Sequence, residues 1–216
     1  MKESLKTILF AAALAVVCAG LLTAANQVLK PYQLANQKAE KWRNIYDVLD
    51  VAYDEDESAE QLLSRVRGEK NPDGIVFAAA AGDLKYYQYT HPTDGVLRAV
   101  EFDGPGLWGH VRGLICMKAD LTTIYRISFY EHEETPGLGG EIESAEFRDR
   151  FAGKTIAPAA GKAGIRIVRG KATGDNEVDA ISGATMTCDK VEAMLDAVCE
   201  KILARRDEIR KEAGDE

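Results

Sequence analysis

At 216 residues the chain has room for one domain of ordinary size plus an appendage, and 35 Asp and Glu against 27 Lys and Arg leave it acidic, with a net charge of −8. No Lys/Arg-rich block stands out, so the charge pattern gives no support to a nucleic-acid surface. The four cysteines, Cys18, Cys116, Cys188 and Cys199, form no C-x-x-C pair and have no histidine at ligand spacing. Neither a metal site, nor an iron–sulfur cluster held by this chain alone, nor a disulfide framework is indicated.

Thr7 to Ala25 reads TILFAAALAVVCAGLLTAA and carries no charge. As a helix it spans roughly 28 Å, close to the hydrocarbon core of a bilayer. A retained anchor over residues 1–30 is the expectation. A signal peptide cut after the small residues Thr23-Ala24-Ala25 is the alternative. A lipoprotein signal ending at Cys18 is disfavoured by Ala15-Val16-Val17, which lacks the small residue expected just before the cysteine. Lys2 and Lys6 precede the span, while Lys30, Lys38, Lys41 and Arg43 follow it, so charge leaves the orientation open.

Lys30-Pro31-Tyr32 marks the exit from the span, and Gln33–Leu49 then reads as a separate amphipathic helix with Leu34, Ala39, Trp42, Ile45, Val48 and Leu49 near one face. A second helix is expected at Ala59–Arg67, after the acidic turn Asp54–Glu57. Five short strands follow: Ile75–Ala80, Leu84–Tyr89, Val96–Phe102, Val111–Lys118 and Thr123–Tyr130. Turn residues break them at Asn71-Pro72-Asp73-Gly74, Pro92-Thr93-Asp94-Gly95 and Asp103-Gly104-Pro105-Gly106. Ser144–Phe151 reads as a helix, Ile165–Val168 as a strand, and Thr187–Arg210 as a long helix whose apolar face is Val191, Met194, Leu195, Val198 and Ile202. Its polar tail, Arg205 to Glu216, is expected to fray. The fold class is therefore α+β: one N-terminal transmembrane helix, then an antiparallel-sheet domain with flanking helices over residues 31–216.

Three segments carry the chemistry. Asp179-Ala180-Ile181-Ser182-Gly183-Ala184-Thr185-Met186-Thr187 lies just before the C-terminal helix. Its small residues let the backbone approach a ligand, and the helix start offers unpaired N–H groups to a phosphate. A threonine hydroxyl there could contact a phosphate or be esterified to one; from spacing alone, an ordinary cap by Ser182, Thr185 or Thr187 is the simpler account. The second is His132-Glu133-Glu134-Thr135-Pro136-Gly137-Leu138-Gly139-Gly140-Glu141, whose turn and open amides could lie against a planar ring, or could simply leave the preceding strand. His132 invites a catalytic role, though a loop histidine that bonds its neighbours is the commoner case. The third, Gly104-Pro105-Gly106-Leu107-Trp108-Gly109, places apolar area on a bendable backbone, or makes a hairpin turn with Trp108 in the core.

Taken together and in this order, GPGLWG at 104–109, HEETPGLGGE at 132–141, DAISGATMT at 179–187 and the exit LKPYQLANQ at 29–37 resemble the NqrC family, the C subunits of the Na⁺-translocating NADH:quinone oxidoreductases, over essentially the whole chain. The resemblance implies FMN joined through a phosphoester to the threonine after Ser-Gly-Ala, here Thr185, by a flavin transferase that takes it from FAD. Thr187 is the second hydroxyl of the motif and not the expected attachment point. Asp179, Ser182, Gly183 and Ala184 match the part the transferase recognises. Leu107, Trp108, Glu134, Thr135, Leu138 and Gly139 fall in segments expected to contact the flavin. The resemblance also implies an extracytoplasmic FMN domain on the inner membrane, in a multi-subunit complex that oxidises NADH, reduces quinone and exports Na⁺. This chain then acts as an electron relay, inactive alone, with no catalytic or metal-binding side chain of its own. It looks shorter than typical members between the first helices and GPGLWG. The RnfG protein of the Rnf ferredoxin:NAD⁺ oxidoreductase shares ETPGLG and the Ser-Gly-Ala-Thr attachment and is the next reading. An anchored scaffold with Thr185 as an unmodified cap, and a stand-alone exported flavoprotein feeding a soluble reductase, are the readings from other classes.

Overall fold

The computed structural model describes residues 2–66, 73–80, 84–159 and 162–212. Arg67 of the expected second helix, Asn71 and Pro72 of the expected turn, and 213–216 of the expected fraying tail lie outside these.

Helix α1 runs unbroken over Lys2–Leu49, about 72 Å at ~1.5 Å per residue. The expected separation at Lys30-Pro31-Tyr32 is not there. Pro31 removes one N–H and leaves the Gln27 carbonyl without its helical donor, but it does so on an exposed stretch where water can replace the lost bond. Alanine, leucine, glutamine and lysine on both sides favour the helix enough to carry it through. The first part of α1 is long and apolar enough to cross a membrane, with a mean hydropathy of 2.5 over its most apolar window and none of that window buried. From Ala39 onward the same helix becomes part of the domain, burying Ala39, Ile45, Tyr46, Val48 and Leu49, while Trp42 is half-buried and Leu34 exposed. It ends with Asp50 in the left-handed region (φ 56°) and a Val51 N–H bonded to the Tyr46 carbonyl, the six-to-one closure that satisfies a last-turn acceptor. Helix α2, Ala59–Val66, opens on a reciprocal cap: the Ser58 N–H donates to Gln61 Oε1, and the Gln61 N–H donates to Ser58 Oγ.

The strands β1 (Val76–Ala80), β2 (Leu84–His91), β3 (Gly95–Pro105), β4 (His110–Met117) and β5 (Ile124–Glu131) form one antiparallel sheet in sequence order. Both faces are covered, so alternate residues enter different cores. Tyr87, Leu97, Ala99, Leu114 and Cys116 pack on α1 and α2. Tyr86, Val100, Phe102, Ile115, Ile127 and Phe129 pack on the opposite layer. That layer contains α3 (Ala145–Asp149), entered through a short 3₁₀ turn and capped by Ser144 Oγ, and α4 (Thr185–Ala204). Helix α5, Arg206–Glu212, follows a break at Arg205, so the expected single C-terminal helix is two. The apolar face expected for it is buried as read, together with Thr187, Cys188 and Cys199.

A second sheet pairs β6 (Arg166–Val168) with β7 (Glu177–Asp179) in parallel. Strand β7 has no signal in the sequence, because three residues are too few to show alternation. It delivers the chain to the start of α4.

Phe147 sits between Phe129 (6.3 Å between centroids) and Phe151 (5.2 Å) with 1% of its surface exposed, and holds α3 to the sheet. Phe147→Ala is expected to lower the unfolding free energy by about 3–5 kcal/mol, read from urea denaturation of the detergent-solubilised chain.

Candidate functional site

The three motif segments meet at one edge of the domain, and a single buried carboxylate joins them. Glu134, 4% exposed, accepts hydrogen bonds at Oε1 from the backbone N–H of Leu107 (2.7 Å) and of Trp108 (3.2 Å). Its Oε2 accepts from the hydroxyl of Thr187 at 2.7 Å, and Thr187 is 2% exposed. The β3–β4 hairpin tip, the loop after β5 and the first turn of α4 are thereby tied to one side chain. Two glycines are required by this closeness. A Cβ on Gly106 would lie 2.5 Å from Glu134 Oε1, and one on Gly139 would lie 2.5 Å from Thr187 Oγ1 and 2.7 Å from Glu134 Oε2.

Each loop is also closed on itself. The Gly106 N–H donates to the Gly109 carbonyl at 2.8 Å, and the Thr135 carbonyl accepts from the N–H groups of Leu138 (3.1 Å) and Gly140 (2.9 Å). His132 takes the structural part: its Nδ1 accepts the Glu134 N–H at 3.2 Å, which leaves Nε2 to donate to Glu143 at 3.2 Å. Asp179 accepts the Ala172 N–H at Oδ1, while its carbonyl and that of Ala180 accept from Arg150 Nη1 at 2.8 and 3.3 Å. Arg150 was not singled out in the sequence; nothing in a lone arginine 29 residues before Asp179 signals that it braces the segment leading to α4.

Helix α4 begins at Thr185, two residues earlier than its apolar face suggested. Ala184 holds the N-cap position and no side chain caps the first turn. Its first N–H groups therefore keep the partner-free state that makes a helix start an anion seat. The cap expected from spacing alone is not made: Ser182 is exposed, Thr185 is half-buried with no hydrogen bond to its hydroxyl among the described residues, and Thr187 is turned inward to Glu134. Gly183 adopts φ +78°, and Leu138 Cδ2 would lie 3.1 Å from a Cβ there, so the first and second segments touch. Around this point Trp108 (69%), Met186 (60%) and Leu138 (45%) are exposed and Leu107 half-exposed, with Thr135 on the same surface loop. Of the residues expected to contact a ring, Leu107, Trp108, Thr135 and Leu138 are placed at the surface, whereas Glu134, Gly139 and Thr187 lie inside and shape it.

No group of three or more His, Cys, Asp and Glu side chains able to hold a metal occurs among the described residues. Burial pushes the Cys188 thiol above its ordinary range, against the smaller opposing effect of the Ile181 N–H it accepts, so it stands as an inert thiol three residues beyond Thr185. A concavity of about 580 Å³ lies elsewhere, lined by Asp47, Tyr53, Arg126 and Arg148. The site is an open, partly apolar surface beside a free hydroxyl and a helix start. That set of groups suits a phosphate-bearing planar ligand.

Residues 106–200, from the hairpin tip into α4, match the FMN-binding domain family. The C subunit of the Na⁺-translocating NADH-quinone reductase of Pseudomonas aeruginosa is 36% identical over 114 residues, which cover 50% of this chain and 44% of that protein. Its counterpart in Pasteurella multocida is 26% identical over 222 residues, covering 86% and 85%. The crystal structure of the corresponding protein from Parabacteroides distasonis superposes with a TM-score of 0.62 at 24% identity, covering 78% of this chain and 92% of that one. NqrC of Shewanella oneidensis gives 0.58 at 24% identity, over 75% and 91%. The chain is thus similar to NqrC proteins in sequence and fold, and carries the FMN-binding match over residues 106–200. With the Pseudomonas protein the matched region spans less than half of the relative's length, whereas the two NqrC structures share the fold over nearly their whole length.

Because Thr187 and Glu134 are both buried, Thr187→Val leaves a carboxylate oxygen unpaired and is expected to cost about 1–3 kcal/mol of stability. In a Glu134→Gln background the same change is expected to cost less, by at least about 0.5 kcal/mol. Equal costs in the two backgrounds, measured by urea unfolding, would show that the two side chains do not act together.

Proposed function

We propose that this chain is the FMN-carrying electron-relay subunit of a membrane Na⁺-translocating NADH:quinone oxidoreductase, with FMN joined through its phosphate to Thr185. Residues 1–30 are the membrane anchor, and residues 31–216 form the FMN domain on the extracytoplasmic side of the inner membrane. The observation that carries the reading is the state of the motif's threonine hydroxyls: Thr187 is committed to a buried carboxylate, whereas Thr185, the first residue of α4, has no hydroxyl partner among the described residues. The family match over 106–200 and the relatives' names support FMN and the complex.

The residues present fit the group. The uncapped first turn of α4 offers N–H donors and the positive end of a 20-residue helix to a phosphodiester. Leu107, Trp108 and Leu138 offer apolar area for a planar ring, and Thr135 a polar contact beside it. FMN, when attached, supplies the redox chemistry, and the protein's part is to hold it and set its surroundings. No side chain is required to move a proton, which agrees with His132 being used to brace its own loop. During maturation by a flavin transferase, the Thr185 oxygen displaces AMP from the FMN phosphorus of FAD, and the hydroxyl proton is released. Asp179, Ser182, Gly183 and Ala184 present that threonine, with Arg150 fixing the backbone before it. The other redox subunits of the complex are the partners in electron transfer.

Co-production of the full chain with a flavin transferase tests the reading. Wild-type protein is expected to show flavin fluorescence that survives denaturing electrophoresis, and Thr185→Ala to show none. A dark wild-type band, with the transferase active on another substrate, would leave an anchored scaffold in its place.

A further inference from the structure

Strand β5 is an edge of the main sheet, with β4 as its one neighbouring strand. Which of its backbone groups face outward follows from the β3–β4 hairpin. The Gly106 N–H donates to the Gly109 carbonyl, so these two residues form a hydrogen-bonded pair, and such pairs recur at every second residue of an antiparallel ladder. Through the β3–β4 register, Val111, Gly113 and Ile115 then bond to β3, which leaves Leu114 and Cys116 to bond to β5. Their partners there are Ser128 and Arg126. The N–H and C=O groups of Ile127 and Phe129 therefore point to the open edge. The Ser128 carbonyl agrees, because it lies against Gly113 on the β4 side.

The chain covers the start of this edge and leaves the rest. Ile124 donates to the Lys154 carbonyl at 2.8 Å and accepts from the Gly153 N–H at 2.9 Å. Among the described residues, no hydrogen bond from outside the sheet reaches the backbone of Ile127 or Phe129. Their side chains are buried, yet each residue lines a concavity, of about 580 Å³ for Ile127 and about 430 Å³ for Phe129. The two concavities share Asp47 of α1 and Arg148 of α3, so they form one trough along the β5 edge, walled by α1 and the 140–152 segment.

Unpaired strand groups along a trough suit an extended peptide laid beside them as a further strand. The charges in the trough select its kind. Glu55 and Asp149 line one concavity and Glu141 the other, and none of the three has an ion-pair partner among the described residues. Of the two cations, Arg126 is held by Asp50 and the Asp47 carbonyl. Arg148 keeps a buried Nε with no hydrogen-bond partner, and a peptide carbonyl is the acceptor it lacks. A second copy of this chain would bring the same excess of carboxylates, on a net charge of −8, and is repelled. We propose that the 126–130 edge of β5 takes an extended, lysine- or arginine-bearing segment of a neighbouring protein as an added strand. Its backbone pairs with Ile127 and Phe129, and its cations face Glu55, Asp149 and Glu141. The 132–141 loop runs on from β5 and gives Gly140 and Glu141 to the trough, so the segment docks beside the loop that carries Leu138.

The test uses full-length chain in zwitterionic detergent, made without a flavin transferase, so that its outcome is independent of FMN attachment. The probe is a capped heptapeptide alternating lysine and valine. One control is the same peptide N-methylated throughout, which keeps the charge and removes every N–H; the other has glutamate in place of lysine. At saturation the lysine–valine peptide is expected to slow amide hydrogen exchange at Ile127 and Phe129 by at least about tenfold, read by NMR. The Arg126 and Ser128 amides, already bonded to β4, are expected to be unchanged, and neither control is expected to protect. In the Glu55→Lys/Asp149→Lys variant the Kd of the lysine–valine peptide is expected to rise about tenfold. No protection of the two amides at about 1 mM peptide, equal protection by either control, or an unchanged Kd in the variant would each overturn the proposal. Protection of the same amides on raising the chain concentration without peptide would overturn it as well, with a second copy as the occupant.

Discussion

A carboxylate removed from water must find donors, and the ones available to Glu134 decide where three separate loops can sit. Two backbone N–H groups of the 106–109 turn and the hydroxyl of Thr187 satisfy it, and breaking any of these leaves a buried oxygen unpaired. The hairpin tip, the ETPGLG loop and the head of α4 are thus fixed relative to one another by a requirement stronger than apolar packing alone would impose. The glycines at 106 and 139 follow from it, since the carboxylate occupies the space their side chains would fill. With Thr187 drawn inward, the α4 first turn is oriented so that Thr185 and the uncapped N–H groups remain available.

The rest of the fold supports this arrangement from both sides. The sheet is covered on one face by α1 and α2 and on the other by α3 and α4, so the strand ends that carry two of the loops are held rigidly. The small parallel pair β6–β7 and the Arg150 bonds to residues 179 and 180 bring the 179–187 segment in from the opposite layer. Because α1 is one helix rather than two, the domain follows the apolar stretch without a break in helical structure at Pro31.

Much of this was legible in the residues. Alternation and turn residues located all five strands of the main sheet, and the apolar face of α4 was read residue by residue. The motifs that carry the site were visible because small residues, glycines and hydroxyls cluster unusually in them. What could not be read depends on contacts distant in sequence. Glu134 was expected in a loop that contacts the flavin, and its part as a buried tie depends on Thr187, 53 residues away. Arg150 and strand β7 had no local signature. Pro31 carried the opposite signal from the outcome, since a proline's effect on a helix is decided by whether the freed carbonyl is exposed. The start of α4 was placed two residues late because its first residues face the site and not the core.

On the proposed function, the burial of Thr187 leaves Thr185 as the attachment point. Tandem mass spectrometry of the tryptic peptide Ala172–Lys190, from full-length chain matured with a flavin transferase, tests this most directly, because that peptide holds Ser182, Thr185 and Thr187 together. The FMN phosphoester is expected on Thr185 alone. A flavin located on Thr187 or Ser182 would contradict it, because the hydroxyl bonded to Glu134 would then have to be released or the helix start would not be the seat of the phosphate.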